Sequence, residues 1–416
     1  MSDPSLPLLV VGAGISGITA ALEAAEAGRP VVLLEKEAFV GGRVIKSHHY
    51  FPKLCPPSCG MEINTRRLER NPRVRVITQA EVVASRPIPG GREVTVRQAP
   101  AYVNDRCTAC GACSSVCPAK VDDSFNLEMG QVPAIRLAHA NAWPHRYLLD
   151  RPACPPECRA CVEACPHQAI DLAARPTEET LQVGATVVAT GWRPYPIAKL
   201  PELGGGRHPD VIANVQLERL AAPGGPTGGK ILRPSNGQPP RRVAFVQCAG
   251  SRDVNHLPYC SAVCCLASLK QALYVHEQYP EAEIAIYYID RRAPGRNEDL
   301  LTRVAAVQSV RLVKGKVGRV EPSADGALLL TVEDVESGRR LEASADLVVL
   351  ATGMVPNLDH GSALDVKRDA DGFGRDSVEL GLLVAGVARR PEDVASSVRD
   401  ATGAAARALA AAGRRA

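Results

Sequence analysis

Three stretches of this 416-residue sequence predict an α/β fold: two Rossmann-like dinucleotide-binding domains, with a small cysteine-rich α+β module inserted into the first. "LLVVGAGISGITAALEAAEAGRPVVLLEK" reads as strand, glycine loop, helix and strand. Two four-cysteine repeats lie between residues 107 and 165. A second strand–loop–helix–strand frame runs from "RRVAFVQ" through "LASLKQALYVHEQY" to "AEIAIYYID". Its loop, "CAGSRDVNHLPYCSAVCC", holds four cysteines where phosphate-binding glycines belong.

Composition bounds the function. The length suffices for two or more buried cores. Apolar residues at 45% and charged residues at 23% are ordinary for a soluble globular chain. A net charge of +4 and only 4% aromatics argue against a nucleic-acid partner. No apolar run reaches the roughly 18 residues of a membrane span. The N-terminus enters a strand at once, without a basic leader or a cleavage site. The expectation is a cytoplasmic protein that meets a membrane only through a partner. The 14 cysteines are tightly clustered, which favours metal or redox chemistry over disulfides.

In the N-terminal unit, Gly12, Gly14 and Gly17 form G-x-G-x-x-G directly after a buried strand. Gly12 permits the turn, Gly14 lets a pyrophosphate approach the backbone, and Gly17 lets the helix pack on the sheet. The helix N-terminus favours phosphate charge. Glu35, with Lys36 beside it, ends the next strand 18 residues after Gly17, where a carboxylate holds ribose hydroxyls. The pair Gly41–Gly42, followed by Arg43, resembles the same region of FAD-binding flavoproteins with two dinucleotide folds. So do the strand-to-loop returns at Thr190–Gly191 and at Gly353. The last such segment predicts a strand ending at Gly386 and a helix from about Glu392 through Val394, with Pro391 in its first turn.

The inserted module carries C-x2-C-x2-C-x3-C-P at Cys107, Cys110, Cys113 and Cys117. A second run, at Cys154, Cys158, Cys161 and Cys165, has one extra residue in its first gap. The first run is the bacterial [4Fe–4S] pattern, in which the fourth cysteine ligates the other cluster. One cluster is therefore assigned to Cys107, Cys110, Cys113 and Cys165, and the other to Cys154, Cys158, Cys161 and Cys117. Thiolate sulfur suits iron–sulfur clusters. Zinc is the alternative, but it does not require paired, proline-terminated repeats of this kind. The reading is a two-cluster, ferredoxin-like α+β module.

The expected order is an FAD-binding domain over 1–103, the insert over 104–175, a return to the first domain over 176–195, a second dinucleotide-like domain over 196–345, and the rest of the FAD domain over 346–416. In two-domain reductases the second unit binds NAD(P)H. Here one glycine stands where three are expected. Cys248, Cys260, Cys264 and Cys265 instead fit a third [4Fe–4S] cluster at a helix N-terminus, which stabilises its negative charge. The alternative is that some are packed free cysteines, Cys264 or Cys265 among them. In the first case an electron relay replaces the hydride-donor site.

That loop resembles the one in the flavoprotein component of heterodisulfide reductases. The segments "YFPKLCPPSCGMEIN", "VATGWRPY", "ERLAAPGGPTGGKILRPS" and "IDRRAPGR" make the resemblance closest to the flavoprotein components of quinone-interacting membrane-bound oxidoreductase complexes. The length fits, without the extra terminal domains of the methanogenic protein. The resemblance implies FAD, iron–sulfur clusters, B and C partner subunits, and an electron link between menaquinone and adenylylsulfate (APS) reductase. Menaquinone would be reached through the membrane component, so the chain would lie at the inner face of the cell membrane.

Two motifs stand outside this frame. Cys55 and Cys59 follow the GG motif and are either a flavin-adjacent redox pair or two unpaired loop thiols. "APGGPTGGKILRPSNGQPP" at 222–240 has Lys230 but no hydroxyl residue after it and no preceding strand, so it reads as a surface loop and not an ATP site. Two rival functions follow: an NAD(P)H-dependent disulfide or sulfur reductase using Cys55 and Cys59, and a cofactor-poor scaffold protein. "DATGAAARALAAAGRR" is expected to close the chain as a helix with a basic end.

Overall fold

The computed structural model describes residues 6–358 and 363–413, so the basic end at Arg414–Arg415 lies outside the described residues. The first domain is organised by a five-stranded parallel sheet. Its order is Leu382–Val384, Ala185–Val188, Leu8–Val11, Val31–Leu34 and Val74–Ile77. The central strands, LLVV and VVLL, are buried along their whole length because both faces of the sheet are covered. On one face, Ile15–Glu26 packs on Val394–Gly413 through alanines, among them Ala20, Ala24, Ala401, Ala404 and Ala408. The small side chains let the two helices lie close together. On the other face lies an antiparallel sheet of Ala80–Ile88, Gly91–Gln98 and Thr177–Val183. Val82, Val94, Val96 and Val183 fill the layer between the sheets.

The insert leaves and re-enters at neighbouring strand ends, since Gln98 pairs with Thr177. A long insertion costs the parent sheet little when its two ends are already side by side. The module is built from the short helices Ala112–Ser115 and Ala160–Glu163 and two small hairpins. Its own apolar core is little more than Val103, Ile135, Leu149 and Ile170, joined by Cys113 and Cys161. So small a core needs help from elsewhere. Some comes from the parent domains, because Phe125 and Ala142 join the first domain's core and Met129 packs on the second.

The second domain has seven strands, ordered Val211–Ala213, Leu347–Thr352, Arg242–Ala249, Glu283–Tyr288, Val310–Pro322, Leu328–Asp334 and Arg339–Ala345. The first five run parallel, and the last two are antiparallel to their neighbours. Leu347–Thr352 lies inside this sheet, so the expected boundary at 345 is corrected to one after Thr352. The reason is pairing: Val348 and Val349 complete the ladder between Arg242–Ala249 and Val211–Ala213. Trp192–Pro194 pairs with Met354–Pro356 to make the double crossing between domains. The glycine-rich stretch 222–240 is held to the second domain by buried Ile231 and by Arg233, which pairs with Asp210 at 2.8 Å.

The last segment also differs in detail from the expectation. The strand ends at Val384, and Gly386 opens a short 3-10 turn. The final helix begins at Val394, not Glu392, because Asp393 accepts the Ser396 N–H at 2.7 Å and so caps the helix one residue later.

Candidate functional site

The first glycine loop is a tight cradle. Gly12 has φ +99°, and a Cβ there would stand 2.5 Å from the Ala189 carbonyl oxygen. A Cβ on Gly17 would collide with the Gly12 carbonyl, so only glycine lets the helix lie this close to the loop. Gly14 precedes the helix and has no side-chain cap, leaving the first N–H groups open. Gly14 bridges to Gly41, and Gly42 packs against Gly14. Gly386, from the far end of the chain, closes onto Ser16 of the same helix.

Glu35 is 8% exposed, and its carboxylate accepts N–H groups from Ala13 at 2.7 Å and Glu37 at 2.9 Å. Burial pushes its pKa up to about 6 from the ordinary 4.5. Arg43 is also buried, which pulls its pKa down to about 10. Its guanidinium donates to the Trp192 carbonyl at 2.8 Å and lies 4.8 Å from the Trp192 ring centroid. Thr190 Oγ1 is buried without a protein partner, and Gly191 beside it has open space where a Cβ would be. Lys36 is exposed at the rim, and Val394 is half-buried at the start of the final helix. A glycine cradle, a buried carboxylate at the next strand end and an orphaned hydroxyl fit the phosphates, ribose and polar edge of FAD. Gly353 is not brought here. It follows a strand of the second sheet and packs on Ser251, Leu257 and Ser261 of the cysteine loop, which corrects its assignment to the flavin site.

The raised pKa of Glu35 gives a pH test. The folded chain favours the neutral acid, so Glu35's contribution to stability is full below about 4.5 and is lost as pH rises through about 6. Ribose hydroxyls donate to the carboxylate and so prefer its charged form. FAD affinity should therefore rise with pH through about 6. Glu35→Gln should flatten that rise and weaken binding roughly tenfold or more, read from flavin fluorescence during reconstitution.

In the insert, Cys107, Cys110, Cys113 and Cys165 line one recess, roofed by Tyr147 and Ile170. The crossing of the fourth cysteine follows from the packing of Ala112–Ser115 on Ala160–Glu163. Ala109, at φ +55°, turns its N–H onto the Cys107 sulfur at 3.4 Å, and Ala169 does the same to Cys165 at 3.3 Å. Burial, and then the neighbouring Cys107, pushes Cys113 up to about 11. Cys161 is also raised by burial, with Cys154, Cys158 and Cys117 as its charged neighbours. The two sets are those of the crossed pattern.

In the second domain, Cys248, Cys260, Cys264 and Cys265 line a single recess with Arg252, Asp290 and Arg292. Three non-glycine residues, Cys248, Arg252 and Ala262, have φ of +56°, +56° and +62°. Strain of this kind gathers at functional sites. The register of Arg242–Ala249 slips between Val246 and Ala249, which turns Cys248 out of the ladder and toward the helix Cys264–Gln278. Burial raises the thiols of Cys248, Cys264 and Cys265, so loading a cluster here would displace protons. Among the described residues, no three His, Cys, Asp or Glu side chains close around a single-ion centre. Cys55 and Cys59 are both exposed and unbridged, Cys59 in the first turn of Pro57–Arg70.

The seam between the domains carries a polar network that the sequence barely signals. Segment 46–54 of the first domain packs on helices Asn214–Ala221 and Cys264–Gln278 of the second. Buried Lys270 pairs with buried Glu218 at 3.0 Å and donates to the His49 carbonyl at 2.6 Å. Glu218 also accepts N–H groups from His48 and Gln271. Arg219 spans the first domain and the insert, donating to the Lys46 carbonyl and to Asn126, both at 2.8 Å. Burial pulls the His48 pKa down to about 4. The only signal is a lysine inside the apolar run "LASLKQALYV".

Fold and site together define an α/β, Rossmann-like FAD-dependent oxidoreductase with a [4Fe–4S] module. Residues 7–52 match the family model for FAD dependent oxidoreductases, and residues 100–121 match that for the 4Fe-4S binding domain. The chain is similar to the large iron–sulfur flavoproteins, designated A, of archaeal heterodisulfide reductases. It is 36% identical to this component of the ferredoxin/F(420)H(2)-dependent CoB-CoM heterodisulfide reductase of Methanosarcina acetivorans, over 95% of this chain and 52% of that one. It is 34% identical to the corresponding component of the H(2):CoB-CoM heterodisulfide,ferredoxin reductase of Methanothermobacter marburgensis, over 96% of this chain and 63% of that one. The chain thus spans about half to under two thirds of the length of these relatives. Among solved structures, a T. acidophilum thioredoxin reductase superimposes with a TM-score of 0.53 at 13% identity, covering 98% of this chain and 99% of that one. That likeness speaks for the fold alone. The described helices include none long and apolar enough to cross a membrane.

Proposed function

We propose that this chain is the flavin- and cluster-bearing electron-transfer component of a quinone-interacting, heterodisulfide-reductase-like complex. In this reading it links the menaquinone pool to APS reductase, with B and C subunits as partners, at the inner face of the cell membrane. The observation that carries the electron-relay part is the second domain's loop. Its four cysteines share one recess where a nicotinamide dinucleotide would place its phosphates. The quinone and APS reductase part rests on the sequence resemblance.

FAD, when bound, exchanges electron pairs for single electrons. The chain's own residues bind and orient. The first glycine loop and helix N-terminus receive phosphate charge, Glu35 accepts ribose hydroxyls, and Thr190 offers its free hydroxyl. The twelve recess-forming cysteines would hold three [4Fe–4S] clusters, two in the insert and one in the second domain. Buried thiols and N–H donors to sulfur tune such centres.

The test is anaerobic. Purified chain should carry about 12 irons and one FAD, and NADH or NADPH should not bleach the flavin. Rapid bleaching with about eight irons would instead support a nucleotide-driven reductase, for which exposed Cys55 and Cys59 would be the dithiol. Substoichiometric FAD and iron would favour a scaffold. Reduction of the reconstituted complex by a menaquinol analogue, with electrons delivered to APS reductase, tests the pathway assignment.

A further inference from the structure

We propose that Arg252 is a positioning residue that raises the redox potential of the cluster in the second domain's cysteine loop, held in place by Asp290. The inference rests on that loop carrying a cluster.

The geometry comes from the loop's turn. Ser251 donates its N–H to the Cys248 carbonyl at 3.1 Å, and the left-handed backbone at Arg252 folds its side chain back over the recess. The Arg252 N–H donates to the Tyr259 carbonyl at 3.0 Å, which ties this turn to the arm that brings Cys260. The guanidinium meets the Asp290 carboxylate at 2.7 Å and also hydrogen-bonds the Cys248 sulfur. Asp290 has a second cation, Arg292, at 3.7 Å. Two main-chain N–H groups point at sulfur as well: Ala262 to Cys260 at 3.4 Å, and Arg292 to Cys265.

Around four thiolates there are therefore two cations and one anion, so the field that the surrounding side chains impose is net positive. The insert's recess at Cys107, Cys110, Cys113 and Cys165 has no arginine or lysine among its lining residues. The redox step adds one electron to the cluster, and no bond forms or breaks. A nearby cation stabilises the more negative, reduced cluster more than the oxidised one, and so raises the potential. Asp290 opposes that charge but fixes the guanidinium where it acts. A surface arginine left free would be screened by water and salt.

The experiment is an anaerobic dithionite titration of the full-length holoprotein, followed by EPR, with iron and sulfide counts on every variant. Arg252→Gln should keep about 12 irons and move the loop cluster's potential downward. The expected shift is at least tenfold in the one-electron equilibrium constant, about 59 mV. Arg252→Lys, which restores charge without the planar fork, should recover most of it. Asp290→Asn should move the potential the other way. If Arg252→Gln holds its irons and its potential matches the parent, the inference is overturned while the cluster survives. If Arg252→Gln loses the cluster, Asp290→Asn decides: an upward shift supports the field, and an unmoved potential overturns it. About eight irons in the unaltered chain would sink the cluster reading itself, and this inference with it.

Discussion

Cys165→Ala should abolish the cluster built on the first repeat, not the one in its own repeat. The recess at Cys107, Cys110 and Cys113 takes Cys165 as its fourth wall, and Cys117 stands with Cys154, Cys158 and Cys161. Iron should fall from about 12 to about eight per chain. The crossing is tested by doubles. Cys107→Ala with Cys165→Ala should stay at about eight irons, because both changes strike one cluster. Cys158→Ala with Cys165→Ala should fall to about four. The reverse ordering of the two doubles would mean that each repeat ligates its own cluster. The insert should also loosen when a cluster is lost. Its apolar core is a handful of residues, so cluster ligation supplies much of its folding free energy. Proteolysis within 104–175 should therefore accelerate in these variants.

The second large effect is expected at Lys270. Its side chain is buried with that of Glu218, and the pair joins helix Cys264–Gln278 to the main chain at His48 and His49. Lys270→Met removes the cation and leaves a buried carboxylate with only neutral donors. Breaking a buried pair in this way costs about 3–5 kcal/mol. The cost falls on the seam between the domains, so the first thermal transition should drop and the segment 46–54 should become cleavable. Adding Glu218→Gln should restore a large part of the loss, since the stranded charge is then gone. An unchanged transition in Lys270→Met would mean that water reaches the seam and the pair is solvated.

Much of the protein was legible in its sequence, for identifiable physical reasons. The strands LLVV and VVLL are buried on both faces, so their apolar runs are unbroken and the glycine loop between them stands out. The cysteine repeats announce themselves because ligand spacing within a run is fixed by short local turns, such as those at Ala109 and Gly111. Local capping chemistry was harder to read. Asp393 moved the last helix start, and the ladder beside Val348 moved a domain boundary past Thr352.

The sequence by itself determined the α/β class, the first nucleotide site, the identity of the cluster-type cysteines and the replacement of glycines by thiols in the second site. Each depends on residues close together in the chain, where covalent geometry limits the outcomes. Only the tertiary structure decided that Gly353 belongs to the cysteine loop, that Arg252, Asp290 and Arg292 share that recess, and that Lys270 and Glu218 lock the domains together. Those pairs are set by strand order and domain docking. A charged side chain reads as surface in sequence until packing removes the water around it.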